Sequence, residues 1–387
     1  MIHFIVSRAI ENRWVVIIVT LMLAAAGVHA YSTLPVDAVP DITNVQVQVL
    51  TSAAGLSPLE VESMVTRPVE LAMAGLPHVT EVRSASRSGV SAVTIFFEND
   101  TDLESARTLV SQRLPTARAA VLGGGQPELG PMSTGLGEVY HFTMAWPGHT
   151  PAEIRTLLDW EVAYSLRTVP GVVEVNGWGG DTKVVEVRLR TADLVAFGMT
   201  PREVEAQLLA GGQSGGGGAV ERGGESAMVR LDGQYRSAAA VGKQVLGMRP
   251  GGRPILVEDV ATVRDGAAFR LSAATQNGDG ETVYGMVQMI AGGNAHEVVV
   301  RVAARMKEIQ TRLPEGVVIT PFYDRAHLVD RVLSTVKHSL LEGGAIVIIV
   351  LLVLLGDIAA GLVVATTIPI AMLGAFGMMR IVGFLAI

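Results

Sequence analysis

Two residues combine chemistry and spacing most usefully in this sequence: Glu138 and His141, at the start of the alternating run EVYHFTMA (138–145). A carboxylate and an imidazole are ligands that suit Zn, Co, Ni and Cd to differing degrees. Side chains alternate along a regular strand, so positions 138 and 141 face opposite ways, and joint coordination requires a bulge or a loop. Asp324, His327 and Asp330 form a second carboxylate–imidazole set at i, i+3 and i+6. There Asp324 reads first as the cap of a helix, and the other two read as part of a solvated face beside Arg325 and Arg331. Met286 and Met289 offer thioethers that suit Cu(I), yet methionines in a strand commonly fill the core, and these two have opposite parity.

Composition narrows the chemistry further. The chain has no cysteine, so neither a thiolate metal site nor a disulfide framework can form, and an oxidising compartment costs it nothing. A net charge of -7 argues against a nucleic-acid partner. No nucleophile–base–acid set, phosphate loop or dinucleotide fingerprint is present, which points away from an enzyme and from a bound cofactor. Glycine clusters at 123–125, 211–218 and 223–224 read as loops or hairpin tips.

The elements that must position these residues are legible as a repeat. Ser57-Pro58-Leu59-Glu60, Thr150-Pro151-Ala152-Glu153 and Thr200-Pro201-Arg202-Glu203 are each a capping box with proline at the first helical position. Thr101 with Glu104 and Asn294 with Glu297 give two more helix starts. A proline follows the cap by 20 residues at Pro77, Pro170 and Pro314, and PHVTEV (77–82) nearly repeats as PGVVEV (170–175). This is an internal duplication. Strand-like runs lie at 45–51, 79–86, 90–97, 138–145, 172–178, 283–290 and 317–323. The resulting order is β-α-β-β-α-β, read twice. The first copy occupies 35–133. The second occupies 134–180 and 273–331, and is interrupted at 181–272 by an inserted subdomain with strand signals of its own and one short helix after Thr200.

Three apolar stretches bracket this soluble region, at 14–34, 335–355 and 359–379, each long enough to cross a hydrocarbon core. Arg8 and Arg13 precede the first, placing residues 1–13 in the cytoplasm and the soluble region outside. The turn GDIAAG between the second and third carries no basic residue. A secretory signal peptide ending at Ala30 is the alternative reading of the first stretch. Either way the soluble region is exported. The fold class is therefore an α+β membrane protein.

PVDAVPDITNVQVQV from Pro35, STGLGEVYHF from Ser133, ERGGE from Glu221 and PFYDRAHLVDR from Pro321 followed by LLEGG closely resemble the heavy-metal branch of the resistance-nodulation-division (RND) efflux permeases, the cobalt-zinc-cadmium type in particular. The resemblance covers the whole chain. It implies a proton-driven, trimeric inner-membrane pump with two ferredoxin-like periplasmic porter subdomains, the second carrying an inserted docking subdomain whose glycine-rich hairpin at 211–224 reaches the next protomer. It also implies a periplasmic adaptor and an outer-membrane channel as partners, and a divalent metal ion as cargo. The strand holding Glu138 and His141 can face the substrate cleft in such proteins. The family usually has another residue where His327 stands, which weakens the 324–330 set as a shared site.

One departure matters. Members of the family are more than twice as long, and their fourth span carries the acidic proton relay; residues 380–387 stop short of it. Within the spans the groups that can carry charge near neutral pH are His29, Lys337, His338 and Glu342, all near the outer interface, with Lys337 and His338 a turn from Glu342. This polypeptide alone is not expected to pump. Two other functions fit the same residues: an RND permease for organic compounds, against which an aromatic content of 5% counts, and a membrane-anchored periplasmic binding or assembly module without transport.

Overall fold

The computed structural model describes residues 8–33, 43–249, 251–270, 272–355 and 358–382. Residues 1–7, all of PVDAVPDI (35–42), Gly356–Asp357 and the final five residues, all assigned above from sequence, lie outside the described residues. An apolar helix, α1 (Arg13–Thr33), precedes the first sheet unit.

That unit runs β1 (Gln46–Ser52), helix α2 (58–73), β2 (Val79–Arg87), β3 (Val90–Phe97), helix α3 (Leu103–Ala120) and β4 (Gln126–Leu129). Its sheet order is β2-β3-β1-β4 with every pair antiparallel, the connectivity of a split βαβ unit. Helix α2 starts where the sequence places it. The Ser57 hydroxyl accepts from the Glu60 amide at 3.4 Å, and the Glu60 carboxylate accepts from the Ser57 amide at 2.8 Å. A π-helical turn over Glu62–Thr66 interrupts its α pattern. Val49, Val93, Ile95 and Phe97 from the sheet meet Val69, Met73 and Val110 from the helices in one closed core. β4 went unread in the sequence because it is four residues long and contains Pro127, which an edge strand tolerates.

The second unit repeats this order as β5 (Glu138–Ala145), helix α4 (151–166), β6 (Val172–Trp178), then β13 (Val283–Met289), helix α9 (Ala295–Gln310) and β14 (Val318–Asp324). Its sheet order is β14-β5-β13-β6, again wholly antiparallel. Thr150 and Glu153 form the same reciprocal cap as Ser57 and Glu60, and a π-helical turn recurs at Leu158–Val162. Phe142, Met144, Val287 and Met289 face Leu158, Leu166, Val298 and Val302 across the core.

Between β6 and β13 the chain leaves the sheet. A two-stranded ribbon of β7 (Lys183–Leu189) and β12 (Ala261–Ala267) carries a body that includes α5 (Thr191–Phe197), α6 (Pro201–Gly211), α7 (Ala238–Gly242), the β10–β11 pair (Val245–Met248 and Pro254–Leu256) and α8 (Val257–Val260). Leu194, Val204, Leu246, Ile255 and Val260 give this body its own core. Its two connections are clamped. Arg270 pairs with Asp181 at 3.0 Å and with Glu281, and the Gly180 amide donates to Glu281 at 2.9 Å. Gly215–Gly218 is not a loop. It opens strand β8 (Gly215–Arg222), paired with β9 (Glu225–Leu231), and the tip of the hairpin is Gly223–Gly224, both at positive φ. Glycine has little strand preference of its own, so the partner strand decides the conformation.

The apolar helices are α1, α10 (Arg325–Leu355) and α11 (Ile358–Val382). Among the described residues, the stretches 13–31 and 325–354 are long and apolar enough to cross a membrane, and α11 contains a shorter apolar run, Ala365–Ile381. Helix α10 begins ten residues before the apolar stretch read from sequence, because Asp324 caps it by accepting from the His327 amide at 2.9 Å. Helix α11 packs on α1 so tightly that a Cβ on Gly27 would lie 2.4 Å from the Leu373 carbonyl oxygen. The rings of Tyr31 and Phe376 sit 5.2 Å apart. The Ala30–Tyr31 bond, where the alternative reading places signal cleavage, lies inside helix α1.

Candidate metal-binding face

The sheet of the second unit has one face on its helices and one face open, and β5 decides what the open face carries. In the register between β5 and β13, Val287 opposes Tyr140 while Gln288 opposes Glu138, so Val139 is an extra residue. This is a β-bulge, and it reverses the alternation. Glu138 and His141 thereby share a face, with the Glu138 Oε2 atom 3.5 Å from His141 Nε2. A bulge, one of the two features that joint coordination requires, is present.

Three aromatic rings surround the imidazole. Tyr323 lies 5.1 Å away between centroids, Phe322 5.6 Å in an edge contact, and Tyr284 6.4 Å. Two of these, Phe322 and Tyr323, are neighbours in sequence that both reach the ring, at a register shift of β14 between Pro321 and Tyr323. The His141 side chain is left 18% exposed and that of Glu138 42%. His141 Nε2 is buried and accepts or donates no hydrogen bond. Burial pushes the imidazole below its ordinary pKa, and the nearby Glu138 charge opposes that only in part. A neutral ring with an unused nitrogen next to a carboxylate suits a divalent cation.

The other sequence candidates fall elsewhere. Met286 is the cross-strand neighbour of His141 and belongs to the open face, whereas Met289 lies in the core cluster, so the two thioethers do not meet. Asp324 serves as the helix cap. Asp330 pairs with His296 Nε2 at 3.1 Å rather than with His327. Arg325, read from sequence as solvated, is buried. Glu342 pairs with His338 at 3.0 Å. Among the described residues no group of three or more His, Asp or Glu is disposed to hold a metal ion. Glu138 and His141 are therefore an adjacent carboxylate–imidazole pair on the open face, with no third such group beside them among the described residues. Sequence reasoning missed Tyr284, Phe322 and Tyr323 as their surroundings; the aromatic pair Phe322-Tyr323 directly before Asp324 was the available signal.

Relatives of known name match nearly the whole chain. It is 43% identical over 385 residues to the cation efflux system protein CzcA of Alcaligenes sp. (strain CT14), covering 97% of this chain and 36% of that protein. The same identity and coverages hold for the cobalt-zinc-cadmium resistance protein CzcA of Cupriavidus metallidurans. The chain thus spans little more than a third of the length of these relatives. A crystal structure of a heavy metal efflux pump superposes with a TM-score of 0.86 at 30% identity, over 97% of this chain and 38% of that one. The model of the AcrB/AcrD/AcrF family matches residues 5–386, and the chain belongs to that family.

Proposed function

We propose that this chain is the N-terminal part of a proton-driven inner-membrane permease that exports divalent heavy-metal cations of the Zn, Co and Cd class, and that Glu138 and His141 lie on the path of the ion. The observation that carries this reading is the Val139 bulge, which brings a carboxylate within 3.5 Å of a half-buried imidazole on an open sheet face. Two ligands bind an ion weakly enough to release it, as a transport site must. The names of the relatives, cation efflux and cobalt-zinc-cadmium resistance, agree with an imidazole–carboxylate donor set and with the absence of thiolates.

In this reading α1, α10 and α11 span the membrane, with residues 1–13 cytoplasmic. The two β-α-β-β-α-β units are periplasmic porter subdomains, and the inserted body is a docking subdomain. The exposed apolar side chains along α1 and α10 suit contact with lipid. The partners are two further copies of the protein, a periplasmic adaptor and an outer-membrane channel. The β8–β9 hairpin, exposed along its length with Met228 and Leu231 outward, is the element that reaches a neighbouring protomer. Deleting 212–218 in the full-length protein is expected to weaken the trimer on native gels, and an unchanged trimer refutes that role.

The transport reading is tested on the full-length permease in proteoliposomes. An imposed pH gradient is expected to drive zinc across the vesicle membrane, and flux no greater than in protein-free vesicles overturns it.

A further inference from the structure

The bulge that joins Glu138 to His141 is a soft element, because one residue of slip at the start of β5 returns Glu138 to the other face. The two residues directly before it each have a carbonyl held by a neighbouring element. From the β13 side, the Met289 amide donates to the Gly137 carbonyl at 2.8 Å. From the other side, the Arg325 guanidinium donates through Nη1 to the Leu136 carbonyl, two residues ahead of Glu138.

The first of these is backbone to backbone and belongs to the sheet. The second comes from the first residue of α10, the helix that continues for 31 residues into the apolar stretch, about 46 Å at the usual rise. Arg325 is 3% exposed, and Ala326 and Val329 beside it are buried, so the first turn of α10 is embedded in the second unit. The same helix follows directly on β14, whose Tyr323 opposes His141 and whose Asp324 opposes Tyr140. The aromatic cover of His141, the start of the bulged strand and the head of the apolar helix therefore meet around one side chain.

We propose that Arg325 is a positioning residue that couples α10 to the metal-binding face, holding the Leu136 carbonyl so that Glu138 stays in the bulged register beside His141. The proposal rests on the reading of Glu138 and His141 as ligands. A movement of α10 relative to the sheet is passed to the ligand pair through this guanidinium, which joins the helix to the turn that leads into β5. The surface pair His296–Asp330 also ties α10 to the second unit, but to helix α9 and away from β5.

The test uses the full-length permease in detergent and two readouts. Arg325→Met keeps length and bulk and removes the donors, while Arg325→Lys keeps one charged donor. In metal-free protein, Arg325→Met is expected to speed amide hydrogen exchange over 136–141 and leave 46–52 of the first unit unchanged. Zinc affinity is expected to fall about tenfold, the lower end of the effect of residues that orient ligands. Lys is expected to restore part of both, and Met to add nothing in a Glu138→Gln background. Asp330→Asn is expected to leave exchange over 136–141 unchanged. Should the Met variant fail to accumulate, Lys carries the same comparison. Unchanged exchange over 136–141 overturns the positioning role. Zinc binding indifferent to Glu138→Gln instead overturns the ligand reading, and the exchange measurement still decides Arg325.

Discussion

Zinc affinity of the full-length permease is expected to fall by more than about a hundredfold at this site when His141 becomes Ala or Glu138 becomes Gln, measured by calorimetric titration at neutral pH. Residues that only orient a ligand typically contribute about 10–100-fold, and these two are read as ligands themselves. The sign of the pH dependence follows from burial. Zinc takes the neutral imidazole, and burial holds the His141 pKa below the ordinary imidazole value of about 6.5. Binding is then fully present above that value and persists through it. It is lost only as the pH falls through the lower folded-state value. The same shift makes folding less favourable in acid, since the unfolded chain takes up the proton first. Affinity that instead collapses at or above the ordinary imidazole value refutes the burial argument. Unchanged binding in both variants refutes the site.

A second large effect is expected inside the core of the same unit. Gly285 lies opposite Phe142 in the β5–β13 register, and a Cβ there would fall 2.3 Å from Phe142 Cζ. Phe142 is fully buried and has no room to swing away. Gly285→Val therefore overpacks the site, at a cost of about 1–3 kcal/mol, and Phe142→Ala empties it, at about 3–5 kcal/mol. The double variant is expected to lose less than the sum, because the valine methyls enter the volume the ring vacates. Thermal unfolding of the four proteins checks this. Strict additivity means that the two residues do not share that space.

Much of the framework was legible because it is written locally. The capping boxes at Ser57, Thr150 and Thr200 specify helix starts through side chains three residues apart, and each forms as read. The runs 90–97 and 172–178 become strands with those bounds, and in the first the alternation agrees with burial on one face. What failed depends on distant partners. Glu138 and His141 converge because β13 and β14 impose their registers on β5, and no pattern within 138–145 announces a bulge. Arg325 reads as a solvated charge within its own helix, yet its acceptor lies 189 residues earlier. Residues 215–218 form a strand only because β9 lies beside them.

The inserted body enters and leaves the second sheet at two points that already touch. Trp178 and Tyr284 are cross-strand partners with stacked rings 6.3 Å apart. At the corresponding place in the first unit, Arg87 and Val90 are joined by Ser88-Gly89 alone, with Gly89 at positive φ. Since the ends meet whether the connection is two residues or a whole body, the entropy of closing the loop grows only slowly with what is placed between them. The hairpin thus acts as a socket. A gene in which a short Gly-containing turn replaces the insert should still encode the sheet, and inserts from related proteins should be exchangeable there without redesign of the open face around His141. The inserted body and the sheet that carries it can accordingly evolve on separate stretches of one chain.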